Sequence, residues 1–137
     1  MYASPSPETA FAEVFQHTRI IELDTARALT GWLPTRPLAL LDLVDSDWAL
    51  HNGAAASLPQ APRSTCRAWA RAVWEQHGAT LDGILAPSTL TGDPMVVLFV
   101  RAVDALPEAP DFSRPLDHLD VATIARVAAT RLRWALV

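Results

Sequence analysis

Residues 64–100 read STCRAWARAVWEQHGATLDGILAPSTLTGDPMVVLFV, and the change of period inside that stretch decides the fold class. From Ser64 to His77, the positions Cys66, Trp69, Ala70, Val73, Trp74 and His77 recur at helical spacing and form one continuous face. A helix is expected there, with Gly78 as its C-terminal stop. Two short apolar runs follow, Leu81-Asp82-Gly83-Ile84-Leu85 and Met95-Val96-Val97-Leu98-Phe99-Val100, both expected as strands. The bridge between them, Pro87 to Pro94, is rich in turn formers. A helix beside short strands in one chain of this size predicts an α+β fold in a single domain, residues 1–137.

Towards the N-terminus, the stretch from Asp45 to Arg63 holds Asn52-Gly53, three alanines, Pro59 and Pro62, and reads as a loop with room for one helical turn. Before it, Pro34 and Pro37 break the chain ahead of Leu38–Val44, an apolar run suited to a buried strand. Asp24 to Trp32 reads as a brief helix or turn ending at Gly31, and Arg19 to Leu23 as a short strand. Ser6-Pro7-Glu8 opens a helix: serine caps, proline suits the first helical position, and glutamate complements the dipole. Ala10, Phe11, Val14 and Phe15 should face the core, with Glu13 on the border of that stripe, partly shielded from water yet facing a cleft. Towards the C-terminus, Pro107, Pro110 and Pro115 punctuate a loop. Asp120 is expected to cap a final helix that buries Val121, Ile124, Ala125, Ala128 and Leu132.

The totals narrow the function classes. Half of the residues are hydrophobic and 19% are charged, which argues against a disordered chain. No apolar run approaches the roughly 20 residues needed to span a bilayer. Met1 to Pro7 lacks the order of a signal peptide, and the single Cys66 has no internal disulfide partner; the expectation is a cytoplasmic protein. Net charge is −4, every lysine-or-arginine position is arginine, and the arginines are dispersed, so neither nucleic acid nor membrane is an expected partner. His17, His51, His77 and His118 fall at no paired ligand spacing, so no metal site is expected. Cys66 reads as a small core residue, and the five tryptophans as mostly core packing.

Four residues remain as candidates for chemistry: Tyr2, Ser4, Glu13 and Ser88. Read alone, a glutamate like Glu13 is more often a solvated helix residue, and Ser88 is a turn former.

The segment Tyr2-Ala3-Ser4-Pro5-Ser6-Pro7-Glu8-Thr9-Ala10-Phe11-Ala12-Glu13-Val14 resembles the Y-x-S … E-T-A-x-A-E segment of the RES domain family, the toxin halves of bacterial RES–Xre toxin–antitoxin pairs. The likeness continues through Leu81-Asp82-Gly83-Ile84, Pro87-Ser88, Leu90-Thr91-Gly92, Leu98-Phe99 and Phe112-Ser113-Arg114-Pro115-Leu116, in order along nearly the whole chain. The resemblance implies a fold similar to ADP-ribosyltransferases and an activity that degrades NAD⁺ by cleaving the nicotinamide–ribose bond. NAD⁺ is then the substrate and no separate cofactor is implied. By the same resemblance Glu13 is the catalytic carboxylate, Tyr2 stacks near the nicotinamide ring, and Ser88 hydrogen-bonds within the nucleotide site. An Xre-type antitoxin is the implied protein partner, and self-association is left open.

The sequence also departs from the family. The family's arginine-containing segment, a G-R-W/F-like stretch ahead of the tyrosine, has no counterpart before Tyr2, so the domain reads as N-terminally incomplete relative to the family. Ala86 stands where an aromatic is common and Thr89 where arginine is common. The alternative reading is an inactive, truncated remnant that acts only as an antitoxin-binding domain. A third is a ligand-binding domain unrelated to the family.

Overall fold

The computed structural model describes residues 1–55 and 58–137. The first helix, α1 (Pro7–Phe15), starts where the sequence sets it. Ser6 is extended, its Oγ accepts from the Thr9 N–H at 3.4 Å, and Pro7 occupies the first helical position. Phe11 and Phe15 are buried, stack on each other at 6.3 Å, and lie in the main hydrophobic cluster. Burying each such ring contributes about 1.5–3 kcal/mol. Val14, expected in that stripe, is 62% exposed; the buried face is narrower than the pattern suggested.

The cluster is completed from the C-terminal helix, α4 (Leu119–Leu132), whose Val121, Ala125, Ala128 and Ala129 are buried. The alanines let α1 and α4 pack closely. Its cap differs from the expected one. The helix begins at Leu119, and His118 is the N-cap, its Nδ1 accepting from the Asp120 N–H; Asp120 lies inside the first turn and acts on the helix dipole.

The remaining strands form three small sheets. The largest runs β1 (Tyr2–Ala3), β6 (Pro94–Leu98), β5 (Gly83–Pro87), β4 (Leu40–Asp42), with β4 parallel to β5 and the other pairs antiparallel. β2 (Ile20–Ile21) pairs in parallel with β8 (Ala135–Leu136), and β3 (Ala28–Gly31) pairs antiparallel with β7 (Phe112–Pro115). This is an α+β architecture. β3 replaces the brief helix expected before Gly31, and β7 lies in what reads as a proline-broken loop. Each supplies the backbone partner the other lacks, a pairing no local period announces. A 3₁₀ helix at Val100–Ala105 takes the end of the expected strand up to Val100.

Between Asp45 and Arg63 lie α2 (Trp48–His51) and a 3₁₀ turn at Leu58–Gln60; the part of the loop expectation that falls on Ala56 and Ser57 lies outside the described residues. α3 (Arg63–His77) matches the predicted span, yet of its expected core face only Val73 is buried. Trp74 is 48% exposed, and Trp32, Trp48, Trp69 and Trp134 are half-buried, so the tryptophans are not core residues in the full sense. Cys66 is half-buried, with Sγ 3.4 Å from the carbonyls of Leu58 and Ala61.

At its start, β5 is fixed by the buried Asp82. The Asp82 carboxylate takes Arg36 through both oxygens (2.7 and 3.0 Å), the Ala39 N–H (2.8 Å) and Arg101 Nε (3.3 Å). Gly83 next to it admits no side chain, since a Cβ there would meet the Val97 carbonyl oxygen at 2.3 Å.

Candidate functional site

The turn joining β5 to β6 carries Ser88 directly after Pro87. Its backbone closes on itself: Ser88 N–H donates to the Asp93 carbonyl (2.8 Å), and Gly92 N–H donates to the Ser88 carbonyl (2.9 Å). Gly92 sits at φ +78°, a conformation in which glycine avoids the Cβ penalty. Inside this turn Ser88 Oγ accepts from the N–H groups of Leu90 (3.2 Å) and Thr91 (3.4 Å). Both acceptor directions being engaged, the hydroxyl proton goes outward, to Glu13 Oε1 at 2.7 Å.

Glu13 comes to this point because α1 lies across the turn. Thr9 and Glu13, four residues apart, share one face of the helix. Thr9 is fully buried; its Oγ1 shares a hydrogen bond with Thr91 Oγ1 (2.8 Å) and donates to Asp93 Oδ2 (3.4 Å). Two successive turns of α1 are thereby clamped to the same loop. Glu13 is half-buried, and only its Oε1 is engaged; among the described residues no buried side-chain oxygen lacks a partner, so Oε2 reaches solvent. Such a carboxylate, one oxygen fixed and the other open, can accept a hydrogen bond from a hydroxyl of a bound sugar or face a developing positive charge.

The structure therefore brings together Glu13 and Ser88, which are 75 positions apart. Tyr2 is 69% exposed on β1, opposite Val97 of β6, and forms no side-chain hydrogen bond to either of them. Ser4 plays a structural part. Its Oγ donates to the Pro94 carbonyl and accepts from Ser6 N–H, tying the start of α1 to β6 (both 3.1 Å). Sequence reasoning does not single out Thr9, Thr91 or Asp93. The four-residue step from Thr9 to Glu13 is a usable signal; Thr91 and Asp93 look like any turn residues. Gln16 is missed as well. Its Nε2 donates to the Glu13 carbonyl (2.7 Å), and its Oε1 accepts from Arg63 Nη2 at the head of α3.

The strongest electrostatic feature lies at the opposite end of β5. The Arg36 guanidinium, the Ala39 N–H and the charge of Arg101 hold the Asp82 carboxyl at about 2, well below the usual carboxylate range, and Asp82 with Asp104 raises the Arg36 guanidinium in turn. Among the described residues no group of three or more histidine, cysteine, aspartate or glutamate side chains is gathered as for a metal ion.

The RES domain family model matches residues 1–121, a span that includes α1, the turn after β5 and every residue of the site. The chain belongs to the RES domain family. At the level of the family this points to a toxin-like, NAD-related function. No curated protein and no solved structure gives a significant match to this RES chain. Among its described residues no helix is long and apolar enough to cross a membrane.

Proposed function

We propose that this RES domain cleaves the bond between nicotinamide and ribose in NAD⁺, with Glu13 as the catalytic carboxylate. As nicotinamide departs, the ribose carbon develops oxocarbenium-like positive charge, as in glycoside hydrolysis. A carboxylate already fixed where that charge appears stabilises the transition state more than the ground state, because it need not reorganise. The observation that carries the reading is the 2.7 Å hydrogen bond from Ser88 Oγ to Glu13 Oε1, which orients the carboxylate and leaves Oε2 for the substrate. Ser88 acts within the nucleotide site in this scheme, and Tyr2 offers an exposed ring for the nicotinamide. Water or phosphate accepts the ADP-ribosyl group. An ADP-ribosyltransferase-like architecture and an Xre-type antitoxin partner belong to the same proposal, on family resemblance.

The test is NAD⁺ consumption by the purified chain, followed by release of nicotinamide. Glu13→Gln keeps the Ser88 contact through its amide oxygen but removes the charge, so it should fold normally and lose about 100-fold or more of the rate. Unchanged turnover in that variant would exclude Glu13.

A second reading, a domain that binds an antitoxin without turning over NAD⁺, is favoured by one observation. Met1, Phe99, Val103 and Leu106 line an apolar groove, and Met1, Val100 and Val103 around it are 56%, 74% and 62% exposed. Such a groove offers an apolar surface for a protein partner to cover. Binding of an Xre-type protein with no nicotinamide release would favour this reading over the first.

A further inference from the structure

We infer that Arg63 binds the diphosphate of a dinucleotide whose ribose lies at Glu13; this rests on the reading of Glu13 given under Proposed function. A dinucleotide carries two negative charges one ribose and one methylene ester away from the scissile bond. A site whose reacting group is itself a carboxylate needs a cation at that remove, or the like charges repel substrate. The chain has eleven basic residues, all arginine. Arg27, Arg36, Arg101 and Arg131 are taken by carboxylates. Among the described residues, the arginines with no carboxylate partner include Arg63, and of these Arg63 alone makes a side-chain hydrogen bond to the C-terminal end of α1.

That contact joins Arg63 to the turn of α1 that carries Glu13. Gln16 is three residues beyond Glu13, about 4.5 Å further along the helix axis at 1.5 Å per residue. Its amide is held at one end by the Glu13 carbonyl (2.7 Å) and offers its oxygen to Arg63 Nη2. Gln16 therefore ties the guanidinium to the segment of α1 that follows Glu13, while the neutral amide leaves its charge uncancelled. A planar guanidinium with its remaining N–H groups free suits two phosphate oxygens at once. Arg67 and Arg71 continue the same face of α3 at four-residue spacing, extending the positive potential away from the site.

The experiment measures steady-state NAD⁺ cleavage and equilibrium binding of ADP-ribose and of nicotinamide riboside, which has no phosphate, for the full chain, Arg63→Ala, Arg63→Lys and Arg126→Ala. Arg126→Ala removes an equal charge from α4. The expected result for Arg63→Ala is a KM for NAD⁺ and a dissociation constant for ADP-ribose raised about tenfold or more, with kcat retained. Nicotinamide riboside binding should be unchanged, Arg63→Lys should recover part of the loss, and Arg126→Ala should match the parent. If the parent cleaves NAD⁺ and Arg63→Ala does so with unaltered KM, or if the riboside weakens as much as ADP-ribose, the assignment of Arg63 falls and that of Glu13 stands. If the parent neither cleaves NAD⁺ nor binds ADP-ribose, both fall together.

Discussion

Replacing Ser88 by alanine removes one hydrogen bond to Glu13 and two from the turn that Ser88 closes, while leaving the backbone free to keep its path. A hydrogen bond to a charged group contributes about 1.5–3 kcal/mol when protected from water. Glu13 is half-buried, so screening reduces the Ser88–Glu13 coupling to about 1–2 kcal/mol. Together with the weaker amide contacts, Ser88→Ala should lower stability by about 2 kcal/mol. With a urea m-value of about 1–3 kcal/mol/M, the unfolding midpoint should fall by about 1 M. Urea titration followed by tryptophan fluorescence measures this, and a cycle with Glu13→Ala isolates the pair. A coupling below about 0.5 kcal/mol, the level at which independent sites add, would refute the claim that Ser88 holds the carboxylate.

Two further outcomes follow from the same fold. The folded-state pKa of Asp82 is depressed to about 2, so its contribution to stability is present above the ordinary carboxylate value and is lost as pH falls through about 2; circular dichroism from pH 5 to 2 should show a decline that Asp82→Asn, already destabilised at pH 7, largely lacks. Gly92→Ala puts a Cβ on a left-handed residue with open space around it, so the loss should be of backbone origin, about 1 kcal/mol, read as a small drop in thermal midpoint with NAD⁺ cleavage reduced alongside if the turn aims Ser88.

What the sequence discloses differs between elements for physical reasons. α1 is legible because its start is written locally, in Ser6 and Pro7, and α3 because its period is clear over four turns. Periodicity reports which face of a helix is apolar and says nothing about whether a neighbour covers it; hence Trp74 and Val14 stand exposed on faces expected to be buried. β3 and β7 are illegible because neither Ala28–Gly31 nor Phe112–Pro115 carries a strand's alternation, and each is stabilised by hydrogen bonds to a segment distant in the chain. The site follows the same division. The placement of Glu13 on the border of the helix stripe is visible from spacing, whereas its meeting with Ser88 depends on how α1 crosses the β5–β6 turn, and only family likeness suggests the two as partners. Arg63 and Gln16 carry no signal, since an arginine and a glutamine near helix ends are commonplace.

The family match stops at residue 121, one turn into α4, although the fold does not. Ala125, Ala128 and Ala129, which cover Phe11 and Phe15, lie beyond that limit, as does β8, the partner of Ile20 and Ile21. A gene trimmed to the matched region would strip the greasy side of α1 bare and leave β2 without its neighbour. Its product would collect in the insoluble fraction, and a failed toxicity assay on it would say nothing about the role proposed for Glu13.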